Sequence, residues 1–155
     1  MGPMIDAANA RRVDNLVEEA AKKATVLVRG GQPSADSAFY HPSLVEVDDP
    51  FLDIVQHEVF GPVATFEVFQ SEQDAIQLAN ITEYGLAASV WSRDADRPRR
   101  VGRRLRAGTV WTNGWAMVTD EYEEGGFNQS GIGRLNGVRA IEEFQEIKTY
   151  AQRTG

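Results

Sequence analysis

The chain has 155 residues, of which 42% are hydrophobic and 25% are charged, and its net charge is −7. This length fits a single domain over residues 1–155 with a sizeable core, and the acidity argues against nucleic acid as a partner. The chain has no cysteine, which excludes disulfides and a thiol nucleophile within these residues, and only 2 histidines, which makes a zinc site unexpected.

A helix and three strands are predicted in the first half of the chain. Apolar residues recur at helical spacing between charged residues over 6–22, which predicts an amphipathic helix. Short runs rich in β-branched and aromatic residues predict strands at 25–28, 43–47 and 62–69.

The second half alternates between helices and strands in the same way. Ser71, with Asp74 three residues on, predicts the N-cap of a helix. Asp94 or Asp96 is expected to cap a second helix, because Pro98 fits in a first helical turn. Strands are predicted at 86–91, 108–112 and 146–150, and a short helix at 138–144. The continuous apolar run of the first of these strands suits a sheet that is covered on both faces.

Strands that alternate with helices imply crossover connections and parallel pairing. The predicted fold class is therefore α/β with three layers, in which helices flank a mainly parallel sheet. No apolar run approaches the roughly 20 residues of a membrane helix, and the N-terminus lacks the pattern of a signal peptide. A cytoplasmic location with no membrane partner is expected.

The segment 57–63 has residue types suited to a nucleotide. The carboxylate of Glu58 could accept two hydrogen bonds from a ribose diol, and Phe60 could place a flat ring against a sugar or a nicotinamide. Gly61 lets backbone approach closely. Taken alone, the same residues are more typical of a loop with an exposed Glu and a core Phe.

A second, glycine-rich segment runs from Gly125 to Arg134. It does not fit a dinucleotide fingerprint, because Asn136 stands where the third glycine is required and no strand leads into it. Its backbone N–H groups could hold an anion, although a tight structural turn before a short helix explains the glycines more simply.

Two charged runs have simple explanations. The arginines between 93 and 106 recur at helical spacing, and in an acidic chain they predict a solvated helix face rather than a nucleic-acid site. The acidic run 120–124 predicts a mobile loop. Trp111 is expected in the core, whereas Trp115 is as consistent with a pocket wall as with a solvated loop.

Taken together, four segments in this order and spacing resemble the C-terminal part of the aldehyde dehydrogenase superfamily: 58–63, 84–88, 107–113 and 125–134. The resemblance extends from about residue 2 to residue 148. It implies an NAD- or NADP-dependent oxidoreductase that converts an aldehyde to a carboxylic acid.

The resemblance also implies roles for individual residues. In that family the Glu equivalent to Glu58 bonds the nicotinamide ribose, and Phe60 would pack beside that ribose. The loop after Asn113 corresponds to the substrate-pocket loop, which brings Gly114 and Ala116, together with the following side chains, close to the aldehyde: Trp115, Met117 and Val118. Residues 146–150 resemble the strand that pairs with a neighbouring subunit, so a homo-oligomer is expected.

The chain departs from the family at two places in this region. Many relatives have Pro-Phe where this chain has Glu123-Glu124, and a carboxylate of Glu124 at the pocket mouth would repel acidic aldehydes and tolerate cationic ones. Many relatives also have Lys at the position of Asn128, which removes the basis for an anchoring role there.

The family's nucleophilic Cys, general-base Glu, oxyanion-binding Asn and dinucleotide-binding half precede the matching segment. We therefore expect no catalytic residue in this chain, no cofactor bound by the chain alone, and no activity without an N-terminal half. The alternative is a non-catalytic assembly module or the complementing half of a split enzyme, since the cut would expose apolar surface and a sheet edge. A weaker alternative is a residual nucleotide binder that uses Glu58 and Phe60.

Overall fold

The computed structural model describes all 155 residues. Its contacts divide the chain into two compact units, Met1–Thr82 and Glu83–Gly155, which we describe separately. The single domain expected from the length therefore stays a prediction. No helix of the structure is both long and apolar enough to cross a bilayer.

The first unit is built on helix α1, Ala7–Ala20. Asp6 caps it, because its side chain accepts a hydrogen bond of 2.7 Å from the backbone N–H of Asn9. The predicted apolar face is buried: Ala10, Val13, Val17 and Ala20. The helix ends two residues before the predicted limit, where residues 21–23 form a turn.

Three strands form the sheet of this unit in the order β1-β2-β3. They are β1, Thr25–Val28, β2, Ser43–Glu46, and β3, Val63–Phe66. Strands β2 and β3 are parallel, whereas β1 pairs with β2 antiparallel and is displaced by a bulge between Val26 and Val28. All three strands were predicted, although β3 ends at Phe66 rather than at residue 69.

Two further helices complete the unit. Helix α2, Asp53–Gln56, was not predicted, because four residues are too few to show helical periodicity. Helix α3, Glu72–Ala79, begins as expected after Ser71, whose hydroxyl accepts from the N–H of Asp74 at 3.1 Å.

The core of the first unit consists of two clusters of buried side chains. One contains Val17, Ala20, Val45, Val47, Leu52 and Ile54, and the other contains Ala10, Val13 and Tyr40. Val59 and Val63 pack against both clusters. The segment that carries Glu58 and Phe60 is thus anchored in the core through Val59, which lies between these two residues, and through Val63.

A polar network fastens α1 to the end of β1. The guanidinium of Arg29 lies 2.7 Å from a carboxylate oxygen of Asp14 and 2.6 Å from one of Glu18. The hydroxyl of Tyr40 donates to the same Asp14 at 3.1 Å. Burial raises the pKa of Tyr40, and the hydrogen bond that Arg29 donates to Glu18 raises the pKa of Arg29, so both groups keep their protons at neutral pH.

The second unit contains two parallel strands, β4, Ala87–Val90, and β5, Thr109–Thr112. Helix α4, Arg97–Gly102, connects them, with Pro98 in its first turn and Val101 buried. Asp94, rather than Asp96, satisfies the free N–H groups at the start, accepting from the backbone of Asp96 at 2.9 Å and of Arg97 at 3.2 Å. These bonds lower the pKa of Asp94.

The α/β class with parallel strands and flanking helices is confirmed. The predicted strands, however, lie in two sheets, one of three strands and one of two. The ends of the run at 86–91 are not covered, because Leu86 is 55% and Trp91 66% exposed.

The short helix predicted at 138–144 is present with these bounds as a 3-10 helix, Val138–Phe144, whereas the strand predicted at 146–150 is wrong. Residues 146–150 form no strand, and Ile147 and Tyr150 are 98% and 90% exposed. A strand exists only as part of a hydrogen-bonded ladder, and no strand of this chain pairs with these residues.

Candidate functional site

The segment 57–63 lies directly against α1. A Cβ atom placed on Gly61 would stand 2.8 Å from Cγ2 of Val13 and 3.0 Å from Cε of Met4. Real Cβ contacts are longer, so only glycine allows the backbone to come this close to the fully buried Val13. The glycine of the motif therefore has a packing role that fixes the distance between the segment and the helix.

The two residues predicted to contact a cofactor both point away from the core. The side chain of Glu58 is exposed and makes no hydrogen bond or ion pair within the chain. The ring of Phe60 is 73% exposed, and the residue adopts a positive φ of 49°. The explanation of this segment as a loop with a core Phe is therefore wrong for Phe60, because its ring faces solvent and adds nothing to the core.

Polar side chains of α1 hold the backbone between these residues. Arg12 donates from Nη2 to the carbonyl of Val59, and from Nε to Oδ1 of Asn9 at 2.9 Å. Asn9 in turn donates to the carbonyl of Phe60 at 3.4 Å. Neither Asn9 nor Arg12 stands out in the sequence, because on a helical pattern both are ordinary polar residues of the exposed face.

The loop after β5 bears the residues predicted for the substrate pocket. Asn113 and Ala116 adopt positive φ angles of 48° and 55°. The side chain of Asn113 accepts from the N–H of Ser92 at 2.8 Å and donates to its carbonyl at 3.0 Å. The hydroxyl of Ser89 donates to the carbonyl of Gly114. The beginning of the loop is thus tied to the end of β4.

A cleft of about 320 Å³ lies between β5 and the loop. It is lined by Thr109, Trp111, Met117, Val118, Thr119, Tyr122, Glu123 and Glu124. Three predicted pocket residues, Met117, Val118 and Glu124, are therefore brought together. The fourth, Trp115, is not in the lining, and its side chain is 74% exposed.

Trp111 was expected in the core but is one wall of the cleft. Its position two residues after Thr109 on β5 places both side chains on the same face of the strand. The alternation of side chains along β5 would have predicted this position of Trp111 if the face of the strand that lines the cleft had been known. Its indole Nε1–H donates to the carbonyl of Met117 at 2.8 Å.

The lining of the cleft is negatively charged. Two carboxylates, Glu123 and Glu124, and two aromatic rings, Trp111 and Tyr122, face it, and no Lys or Arg lines it. The carboxylate of Glu123 is 3.4 Å from the backbone N–H of Arg139. Such a surface suits neutral or cationic molecules better than anions, because carboxylates repel anions and aromatic faces attract cations.

The glycine-rich segment is a structural turn. Backbone N–H groups that could have held an anion bond to the chain instead: Phe127 donates to Gly85 at 2.8 Å and Gln129 to Glu83 at 3.0 Å. A Cβ on Gly108 would stand 1.6 Å from the carbonyl oxygen of Gly125, so the two backbones touch. Asn128 has a positive φ of 52°, a conformation that asparagine tolerates better than lysine.

No group of three or more His, Asp and Glu side chains is arranged to hold a metal ion. Two further depressions, of about 220 and 510 Å³, flank α1 and α2. Neither includes a residue predicted for cofactor or substrate.

The geometry can be compared with known proteins. The sequence profile of the aldehyde dehydrogenase family matches residues 1–150. Betaine aldehyde dehydrogenase of Bacillus subtilis is 41% identical over 152 residues, which is 95% of this chain and 31% of the relative. The NADP/NAD-dependent aldehyde dehydrogenase PuuC of Escherichia coli is 40% identical over 149 residues, which is 96% of this chain and 30% of the relative.

Solved structures agree with this. A betaine aldehyde dehydrogenase of Staphylococcus aureus in complex with NAD+ superposes with a TM-score of 0.86 at 41% identity, covering 93% of this chain and 30% of that one. A mutant of the indole-3-acetaldehyde dehydrogenase AldA of P. syringae, with NAD+ and IAA, gives 0.87 at 30% identity, over 96% and 30%. The chain thus spans a little under a third of the length of the proteins it matches.

Proposed function

Because the chain belongs to the aldehyde dehydrogenase family, we propose that it is the C-terminal part of an NAD- or NADP-dependent enzyme that oxidises an aldehyde to a carboxylic acid. The observation that carries this proposal is the segment 57–63, in which a carboxylate and an aromatic ring face outward from a rigidly held backbone. A cytoplasmic setting is part of the same proposal.

Glu58 and Phe60 have the properties needed to hold the ribose of a dinucleotide. The carboxylate of Glu58 has no partner within the chain, so both oxygens are free to accept from a vicinal diol. The exposed ring of Phe60 offers a flat apolar face next to it. When bound, the cofactor supplies a hydride acceptor. The part of this chain is to orient the ribose, since nothing in it resembles a pyrophosphate site.

The aldehyde would enter the cleft beside β5. Trp111, Met117 and Val118 supply an apolar wall, and Glu123 and Glu124 give the mouth a negative charge. We propose that neutral and cationic aldehydes are accepted and that aldehydes carrying a carboxylate are rejected. Betaine aldehyde, for which the Bacillus subtilis relative is named, is a suitable cationic candidate.

The nucleophile of the reaction has to come from another segment, because these 155 residues contain no cysteine. We propose that the chain alone oxidises no aldehyde and that a segment with the Cys and the general-base Glu completes the site. The loss of such a nucleophile costs several orders of magnitude in rate.

The test is aldehyde-dependent formation of NADH or NADPH by the chain alone and by the chain mixed with the N-terminal part of a relative. We expect activity only in the mixture. In that mixture Glu58→Gln should raise the KM for the cofactor about tenfold, the loss of one charge-assisted hydrogen bond. Glu83→Gln, an exposed Glu of the other unit, should leave it unchanged. Activity of the chain alone, or an inactive mixture whose two parts co-purify, would overturn the proposal.

A second candidate function is assembly without catalysis. It is favoured by the apolar side chains that the C-terminal residues expose: Phe144 at 84%, Ile147 at 98% and Tyr150 at 90%. We propose that 146–150 becomes a strand when it pairs with another subunit or with the N-terminal part. Sedimentation over a concentration series tests this, since Ile147→Asp should abolish a specific oligomer, while Gln152→Asp, which adds the same charge beyond the strand, should leave it intact.

A further inference from the structure

We infer that Trp111 is a positioning residue for the substrate cleft, and that it acts through the hydrogen bond from its indole N–H to the carbonyl of Met117. The inference rests on the proposed function in one respect, namely that the loop 113–118 contacts the aldehyde. The hydrogen bond itself can be tested without any enzymatic activity.

The loop is held at two points that differ in strength. Its beginning is fixed by three side-chain bonds, two between Asn113 and Ser92 and one from Ser89 to the carbonyl of Gly114. Beyond Gly114, residues 115–119 make a single hydrogen bond with the rest of the chain, the one of 2.8 Å from Trp111 to Met117.

The held stretch provides three members of the cleft wall, Met117, Val118 and Thr119. It also includes Ala116 at a positive φ of 55°, a conformation that a non-glycine residue leaves readily unless its surroundings hold it. Met117 and Val118 are 58% and 54% exposed, so packing does little to fix them. The width of the cleft therefore depends on the bond that Trp111 donates.

Trp111 lies on β5, and the bond thus connects the loop wall of the cleft to the strand wall. The indole is half-buried and lines the same cleft as the stretch that it holds. Removing the N–H should widen the distribution of loop conformations and weaken aldehyde binding. It should not affect the cofactor, because Glu58 and Phe60 belong to the other unit.

The first experiment measures hydrogen exchange of the indole N–H groups of the full chain by NMR. Three indole signals are expected from the 3 tryptophans, and Trp→Phe variants assign them. The signal of Trp111 should exchange at least about tenfold more slowly than that of Trp91, whose side chain is 66% exposed. In Trp111→Phe the carbonyl-carbon signal of Met117 should shift, because its oxygen loses the indole donor, whereas Trp91→Phe should leave that signal unchanged.

The second experiment uses the mixture with an N-terminal part. Trp111→Phe should raise the KM for the aldehyde about tenfold at unchanged KM for the cofactor, the order expected for one hydrogen bond. If Trp111→Phe does not fold, β-(3-benzothienyl)alanine at position 111 keeps the size of the ring system and lacks the N–H.

The outcomes separate the two proposals. An indole of Trp111 that exchanges as fast as that of Trp91 overturns this inference, whatever the activity. Protected exchange with an inactive mixture supports the hydrogen bond and refutes the proposed function instead. Protected exchange with equal rises in the KM of aldehyde and cofactor would show a general loss of structure and overturn the positioning role.

Discussion

Adding one methyl group to Gly61 tests whether this glycine sets the distance between the segment 57–63 and α1. In Gly61→Ala the new Cβ would meet Cγ2 of Val13 at 2.8 Å and Cγ1 at 3.2 Å. Val13 is fully buried and cannot turn away. Overpacking of this kind costs about 1–3 kcal/mol. The lower chain entropy of the unfolded alanine variant recovers about 0.4–1 kcal/mol.

The net expectation is a loss of about 1–2 kcal/mol in the free energy of unfolding. Urea denaturation followed by circular dichroism at 222 nm measures it, and the midpoint should fall by about 0.5–1 M. Gly2→Ala is the matched control, because nothing lies within 4 Å of the Cβ that it adds. Its free energy of unfolding should stay within about 0.5 kcal/mol of that of the parent chain.

A double-mutant cycle identifies the cause. Val13→Ala is destabilising by itself, since it empties a fully buried site. It also removes the two Val13 atoms that the new methyl group would meet and leaves only Cε of Met4, the end of a flexible side chain. Gly61→Ala should therefore cost at least about 1 kcal/mol less in the Val13→Ala background. Strict additivity of the two changes would refute the close contact as the reason for the glycine.

Three further predictions concern stability and selectivity. Ser71→Ala removes the cap of α3, where the hydroxyl accepts from Asp74 at 3.1 Å, and should lower the free energy of unfolding by about 1 kcal/mol; Ser71→Asp should keep the cap and the urea midpoint. Burial raises the pKa of Glu67 above its ordinary value of 4.5. Because the folded state binds the proton of Glu67 more tightly than the unfolded state does, protonation of Glu67 stabilises the fold. This stabilisation is complete below pH 4.5 and is lost as the pH rises through the folded pKa. The urea midpoint of Glu67→Gln minus that of the parent should therefore be more positive at pH 7 than at pH 4. A difference between the two midpoints that does not vary with pH would contradict the role of Glu67. Glu124→Lys should lower the preference of the complemented enzyme for cationic over anionic aldehydes, measured as a ratio of kcat/KM, by about tenfold. Glu121→Lys adds the same charge outside the cleft, and an equal effect from it would attribute the preference to net charge alone.

Local signals in the sequence predict most of the regular structure. The strands β1, β2 and β5 and the capped helix α3 have signals that span the whole element, such as β-branched runs or a Ser71–Asp74 cap. Helix α2 has only four residues and no such signal. The C-terminal strand fails for another reason, because a strand depends on a partner that the chain itself does not contain.

The sequence allows several residues of the candidate site to be predicted, but not their arrangement in space. The family resemblance identifies Glu58, Phe60, Met117 and Val118, while the supports of the site are invisible in the sequence. Asn9 and Arg12 act through backbone carbonyls more than 45 residues away, and only the fold brings them there. Trp111 is a large apolar residue in a predicted strand, which is typical of the core. Its contact with the cleft follows from the path of the loop after β5, which has two positive φ angles.

The positions of the tryptophans and of the longest helix allow the unfolding of the two units to be followed by different spectroscopic signals. All 3 tryptophans lie beyond residue 90, in the second unit, whereas α1, the longest helix with 14 residues, lies in the first. Tryptophan fluorescence thus reports on the second unit, and the helical dichroism reports mainly on the first. Coincident transitions would mean that the two units unfold as one cooperative body, and separated transitions would give each unit its own stability.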